Sequence, residues 1–248
     1  MIDTIFFDLD GTLLHYTQDE FVSVYFGKLQ AVFIELGLDP ELAGKAVWAG
    51  TEAMIRNDGA ELNSERFWEV FAKMMDLPAA QLEPVEAACE RFYSHEFDSV
   101  RSIMKNDDLA LPRRLTDTLA SKGYQIVLAT NPLFPTCATA TRLGWVGLRL
   151  QDFCLVTDYA NSRYCKPNPA YYREILDKIG KEPDQCLMIG NNTNEDLIAE
   201  TLGIDTYLVT DCLENETGKD IAKFRHGTLA ELETWLASAP DVEKEVVH

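Results

Sequence analysis

Positive charge is what this chain has least of. Lysine and arginine number 22 against 41 aspartates and glutamates, a formal net charge of −19. Phosphate backbones and anionic headgroups are held by Lys and Arg, so this balance argues against nucleic acid and membrane as partners. It also demands that an anionic small molecule be met by a few basic groups placed against the field of the whole chain. No apolar run approaches the about 20 residues a membrane span needs, and the N-terminus reads as a strand instead of a signal peptide. Cys-x-x-Cys spacing is missing too. The cysteines at 89, 137, 154, 165, 186 and 212 are therefore expected to be reduced thiols of a cytoplasmic protein, not a disulfide framework. His15, His95, His226 and His248 form no ligand pattern, and no repeat or low-complexity tract occurs. What remains is an ordinary soluble composition in a chain of 248 residues, enough for one or two domains.

The pattern along the chain changes twice. Ile5 to Phe7 is a run of β-formers expected to be buried on both faces. About ninety residues of helical character follow. Thr17 to Glu20 is a capping box, Phe21, Tyr25, Leu29, Val32 and Leu36 keep the helical period, and Gly37 supplies a stop. Asp39-Pro40 opens a second helix. A third, capped by Asn63 or Ser64, runs to Pro78, and a fourth spans about 84 to 97. From about residue 112 helices and strands alternate: strands at 124–130, 153–156, 185–189 and 206–209, helices at 112–122, 135–143, 169–179 and 194–202, and a last helix behind the capping box Thr228 to Glu231. This alternation predicts an α/β fold: a doubly wound, Rossmann-like parallel sheet with an inserted helical-bundle cap. The expected division is a core of 1–15 and 106–240, a cap of 16–105 and a charged, frayed tail of 241–248.

Chemistry concentrates where the first strand ends. Asp8 and Asp10 lie one residue apart, followed by Gly11, at the carboxyl end of a strand, where ligands of open α/β sheets gather. Two such carboxylates repel, and need a cation, a shared proton or both. A plain turn or helix cap is the competing reading. Thr130 ends the second long strand, where a hydroxyl and the following backbone N–H groups can donate to an anion. Lys166 stands in Lys166-Pro167-Asn168-Pro169, just ahead of a helix N-terminus, a place suited to a phosphoryl group. After the strand 185–189 come Gly190-Asn191-Asn192-Thr193-Asn194-Glu195-Asp196.

These four stretches resemble the motifs of the haloacid dehalogenase-like superfamily: Asp-x-Asp-Gly-Thr at 8–12, the strand ending in Thr130, Lys166 before its helix, and an acidic loop at 190–196. The resemblance implies a helical cap of the C1 type. It implies Asp8 as nucleophile, Asp10 as general acid/base, and Thr130 and Lys166 as catalytic charge stabilisers. It also implies magnesium held by Asp8, Asp10, Asn191, Asn192 and Asp196. Thr12, Asn131 and the cap-loop residues Arg56 and Asn57 are the expected substrate-binding groups. The fourth motif departs from the family, because asparagine stands at both positions where the first of its two acids is expected. An amide oxygen can ligate a hard cation but brings no charge, so weaker magnesium binding is expected.

The implied activity is a magnesium-dependent phosphatase for a small phosphorylated metabolite, working through an aspartyl phosphate. A sugar phosphomutase, a haloacid dehalogenase and a non-catalytic binding module with a decayed metal site are the alternatives. Asp10 favours phosphoryl chemistry, since dehalogenating relatives lack that second acid. Monomer and dimer are both compatible with the sequence.

Overall fold

The computed structural model describes residues 1–242. Six parallel strands form one sheet in the order β3-β2-β1-β4-β5-β6. They are β1 (Thr4–Phe7), β2 (Gln125–Leu128), β3 (Leu155–Val156), β4 (Cys186–Gly190), β5 (Asp205–Val209) and β6 (His226–Gly227). β1 lies in the middle, with Phe6 in register with Val127 on one side and Met188 on the other. This position is why Thr4–Phe7 is apolar without alternation: all four residues are buried, and neither face meets water. Ile5 and Phe7 pack with Leu128, Leu187, Ile189 and Val209 on one face. Phe6 joins Val127, Met188, Tyr171 and Ile175 on the other.

Helices cover both faces. α7 (Pro169–Ile179) supplies Tyr171, Tyr172 and Ile175 to the Phe6 side. Its first turn is set by Pro169 with Asn168 as N-cap, and Gly180 closes it in the left-handed region (φ 66°). α5 (Leu111–Ser121) and α8 (Leu229–Ala237) line the opposite face with Leu115, Leu119, Leu229 and Leu232. The expected capping boxes at Thr17 and Thr228 are both formed.

Four helices are inserted between β1 and α5: α1 (Gln18–Glu35), α2 (Pro40–Ile55), α3 (Asn63–Met75) and α4 (Ala79–His95). The two chain crossings beneath them are tied together. Asn106 Oδ1 accepts from the His15 N–H at 2.9 Å, its Nδ2 donates to the Leu13 carbonyl at 3.2 Å, and the Lys105 N–H reaches the His15 carbonyl at 2.8 Å. The far end of the insertion docks as well. The Asn63 and Ser64 N–H groups donate to the carbonyls of Ser162 and Tyr159.

Local details differ from the sequence reading. α4 begins at Ala79, earlier than expected, and carries Pro84 as its sixth residue, where the ring removes one intrahelical hydrogen bond. Residues 194–202 form only a 3-10 segment, Leu197–Leu202, because the chain before it is spent in a turn around Asn192. α6 (Thr136–Gly144) keeps Gly144 as its last helical residue, and the left-handed glycine is Gly147. β6 and a 3-10 segment, Phe97–Ile103, had no clear sequence signal. The expected fraying at 241 does not begin there: the Val242 N–H donates to the Lys122 carbonyl at 2.8 Å, and Lys122 Nζ lies 3.6 Å from Asp241. The remainder of that tail, 243–248, lies outside the described residues. All six cysteines are free.

Candidate active site

Asp8, Thr130, Lys166, Asn191 and Asp196 all lie at or just beyond the carboxyl ends of β1, β2 and β4 or the loops beside them, as expected for a parallel sheet. Lys166 is the hub. Its Nζ lies 2.8 Å from Asp8 Oδ1 and 2.7 Å from Asp196 Oδ1, with all three residues buried. Burial alone would discharge the ammonium, but Asp196 and Asp8 outweigh it and hold Lys166 well above its ordinary value. Burial in turn pushes the Asp8 carboxyl up, with Asp196 and Asp10 adding to the rise and Lys166 opposing it.

The close approach depends on two glycines. A Cβ on Gly190 would stand 2.1 Å from Asp196 Oδ2, and one on Gly11 would stand 2.2 Å from Asn191 Nδ2. Gly11 also has a φ of 82°, which side chains rarely adopt. Asp196 is held from behind by the Asn192 N–H, which donates to its Oδ2 at 2.9 Å.

Several expected contacts resolve into bracing. Thr12 is wholly buried, with its hydroxyl 3.2 Å from Asp8 Oδ2 and 3.1 Å from Asn191 Oδ1. Its single proton serves one of them at a time, so it orients the Asp8 carboxylate instead of facing a substrate. Asn131 borders the cavity above Asp8, but its amide is engaged: Oδ1 accepts from the Lys166 N–H at 3.2 Å and Nδ2 donates to Glu195 at 3.1 Å. Thr130 lines the same cavity and is nearly inaccessible.

The two asparagines of the fourth motif separate clearly. Asn191 Oδ1 points toward Thr12 on the Asp8 side, and its Nδ2 donates to the Cys212 carbonyl at 2.7 Å. Asn192 turns away. Its Nδ2 donates to Glu214 at 2.7 Å, and its Oδ1 accepts from the N–H groups of Asn194 and Glu195. Asn192 therefore builds the loop, and Asn191 is the amide that faces the carboxylates.

Arg56 and Asn57 do not reach the cavity. Arg56 caps α2 on the surface, paired with Glu52 at 2.6 Å and largely exposed. Asn57 is buried in its own loop, where its Nδ2 donates to the Glu61 carbonyl and to Asn63 Oδ1. Fixing a turn under the insertion used up the polar atoms that the sequence had offered for a ligand.

Arg142 and Tyr16 were not anticipated. Both hold Asp10: Arg142 at 2.5 Å from Oδ2, and the Tyr16 hydroxyl donating to Oδ1. Arg142 is fully buried, its guanidinium stacked 4.6 Å from the Phe134 ring centre, and its Nε has no partner. Burial works against its charge, but Asp10 and Tyr16 raise it further. Its one sequence signal is position, since it shares the buried face of α6 with Ala138 and Leu143. Glu195 and Glu214 complete the acidic rim, and burial pushes Glu195 up to about 8.

The family model of haloacid dehalogenase-like hydrolases matches residues 2–199. The chain belongs to that family. Among known proteins it is similar to the glyceraldehyde 3-phosphate phosphatase of Methanothermobacter thermautotrophicus, 26% identical over 84% of this chain and 86% of the relative. The phosphoglycolate phosphatase of Pectobacterium atrosepticum is 24% identical over 79% and 75%. Among solved structures, a 2-haloacid dehalogenase from Pseudomonas syringae pv. Tomato superposes with a TM-score of 0.63 at 18% identity, covering 96% of this chain and 99% of that one. A haloacid dehalogenase-like phosphatase from Thermococcus onnurineus gives 0.58 at 20%, over 97% and 100%. These structural likenesses establish a shared fold. The chain is thus a haloacid dehalogenase-like hydrolase with a parallel α/β core and a helical cap insertion. Among the described residues no helix is long and apolar enough to cross a membrane.

Among the described residues, no group of three or more His, Cys, Asp and Glu side chains is arranged to hold a metal ion. The oxygen donors gathered here are the Asp8 and Asp196 carboxylates, both bonded to Lys166, and Asn191 Oδ1. All are hard oxygens of the kind magnesium takes, and one or two carboxylates suffice for it. Lys166 already neutralises part of the charge of the two acids, so the set suits a weakly held cation.

Proposed function

We propose that this hydrolase is a phosphatase acting on a phosphomonoester, with Asp8 as nucleophile. The observation that carries this reading is Asp8 and Asp196 on the floor of a cavity with the Lys166 ammonium bonded to both just beneath them, which places positive charge next to where a phosphoryl group would be attacked. The phosphatase names of the curated relatives support it.

An Asp8 oxygen attacks phosphorus in line while the ester P–O bond breaks, and the departing alkoxide takes a proton from Asp10. Asp10 then accepts a proton from water as that water attacks the aspartyl phosphate. The P–O bond to Asp8 breaks, and inorganic phosphate leaves. Thr12 holds the Asp8 carboxylate in aim, and Lys166 and Thr130 meet the charge that builds on the equatorial oxygens. Both Asp10 oxygens are engaged here, so the acid–base step requires exchanging Arg142 or Tyr16 for the ester oxygen.

Asp8, the Asp10 carbonyl, Asn191 and Asp196 would hold magnesium, which would supply further positive charge to the phosphoryl oxygens. Asn192, bonded to Glu214 and the loop backbone, is left out of that set. A screen of phosphate esters with magnesium and with chelator tests the reading. Phosphate release that magnesium raises and Asp8→Asn abolishes is expected. Halide release from 2-haloacids in place of phosphate release would assign the site to dehalogenation.

A further inference from the structure

The cavity above Asp8 measures about 760 Å³. That is the size of a site for a drug-sized ligand, for which about 300–1,000 Å³ is usual. Its floor is polar, formed by Asp8, Asp10, Thr130, Asn131 and the side chains of Asn191, Glu195 and Asp196, and its walls are mostly apolar. Its walls are the inner faces of the inserted helices. α1 contributes Val22 and Phe26 beside its buried stripe of Phe21, Tyr25, Leu29 and Phe33, α2 adds Trp48, and α3 adds Phe67 and Trp68. Aromatic and aliphatic side chains at this helical period read as bundle core in the sequence. That stripe is bundle core here too, buried and packed together, and it is the partly exposed side chains beside it that border the open space.

Charge narrows the occupant further. Among the described residues, no lysine or arginine lines the cavity, and Lys166 is screened beneath Asp8 and Asp196. The ionisable groups away from the floor are Glu86 and Glu90 on α4, which repel a second anion. A carboxylate or second phosphate on the substrate would be desolvated among aromatic rings with no partner, which is strongly unfavourable. An uncharged apolar body would instead bury its surface at each step along the cavity.

We infer that this site takes a phosphomonoester whose alcohol is bulky, apolar and uncharged, an aryl or medium-chain alkyl group, in preference to small substrates with a second anionic group. The inference rests on the phosphatase reading for its reaction, but not for its binding preference. The phosphoryl group sits at the floor and the apolar group extends between α1 and α3.

Two measurements on the full chain separate the two claims. Phosphate release is followed for ethyl, butyl, octyl and naphthyl phosphate, and for phosphoglycolate, glyceraldehyde 3-phosphate and pyrophosphate. Binding of the unreactive butylphosphonate, octylphosphonate and phosphonoacetate is followed by the fluorescence of Trp48 and Trp68, both of which line the cavity. Each methylene added within the cavity is expected to tighten binding about fourfold, which is about 0.8 kcal/mol. kcat/KM should climb along the same series and exceed that for phosphoglycolate. Thr51→Arg, on the α2 wall, should reverse the order by giving a carboxylate its partner, and Phe67→Ala should flatten the chain-length dependence. Phosphoglycolate or pyrophosphate turned over better than octyl phosphate would overturn the inference and leave the phosphatase reading standing. No phosphate release from any ester would end the phosphatase reading, while the phosphonates still decide the binding preference: octylphosphonate no tighter than phosphonoacetate overturns it.

Discussion

The floor and the walls of one cavity are built on opposite principles. On the floor, the ionised groups nearest Asp8 are partnered: Lys166 with Asp8 and Asp196, Arg142 with Asp10. Order there comes from charge, and a single deletion leaves an unpaired buried ion. On the walls, α1 to α4 present rings and aliphatic chains with no cation among them. Order there comes from packing, where one deletion costs a contact and the rest adapt. The contrast teaches what each part responds to: the floor to a change of charge, the walls to a change of shape.

The largest effect that could break this contrast lies at the nucleophile. Asp8→Asn should leave the fold intact and reduce phosphate release to background, because an amide forms no phosphoenzyme. Retained turnover, with folding verified by circular dichroism, would remove Asp8 from its role. Next is Lys166→Met. Removing one member of a buried ion pair typically costs about 3–5 kcal/mol, so urea unfolding should shift strongly as well as activity. Adding Asp196→Asn should recover part of that stability, since one uncompensated charge disappears; strict additivity of the two changes would show that the groups are not coupled.

A finer test compares the two asparagines. Asn191→Asp should tighten the magnesium dependence of phosphate release several-fold, provided its attraction for the cation exceeds its repulsion with Asp8 and Asp196. Asn192→Asp should not tighten it, and should disturb the loop by placing a carboxylate against Glu214. Equal tightening by both would show that the loop rearranges around the cation. The smallest effect belongs to Arg56→Ala. Its partner Glu52 and the guanidinium are both solvent-exposed, so stability should change by about 0.5 kcal/mol or less and substrate preference should not move. A clear change in preference would bring the cap loop back into the site.

The parts of the molecule that were legible in sequence share a property: their cause is local. The buried β1 strand, both capping boxes, and α7 between Pro169 and Gly180 follow from residues within a few positions of one another. Asp8 follows β1 and Lys166 precedes α7, so both could be placed from elements whose type is readable, whereas Asp196 lies in a loop ahead of a 3-10 segment that the sequence reads as a helix. Arg142 was not legible, since nothing in Thr141-Arg142-Leu143 announces a partner 132 residues away. Asn57 is the same case reversed, while Arg56 lies out on the surface with Glu52. A loop rich in polar atoms looks available until its own turn consumes them.

The sequence by itself determined the order of strands and helices, the insertion after β1, and the set of carboxylates and the lysine that meet at the sheet's edge. Period, caps and strand ends act through neighbouring residues, and they suffice for that. Only the tertiary structure decided which asparagine faces Asp8, that Arg142 and Tyr16 hold Asp10, and that Val22, Phe26, Phe67 and Trp68 border a cavity beside the buried stripe of α1. Each of these depends on the distance between elements far apart in the chain. Phe21, Tyr25, Leu29 and Phe33 form the buried stripe that the helical period predicts, but that period does not say where the helices beside it leave space.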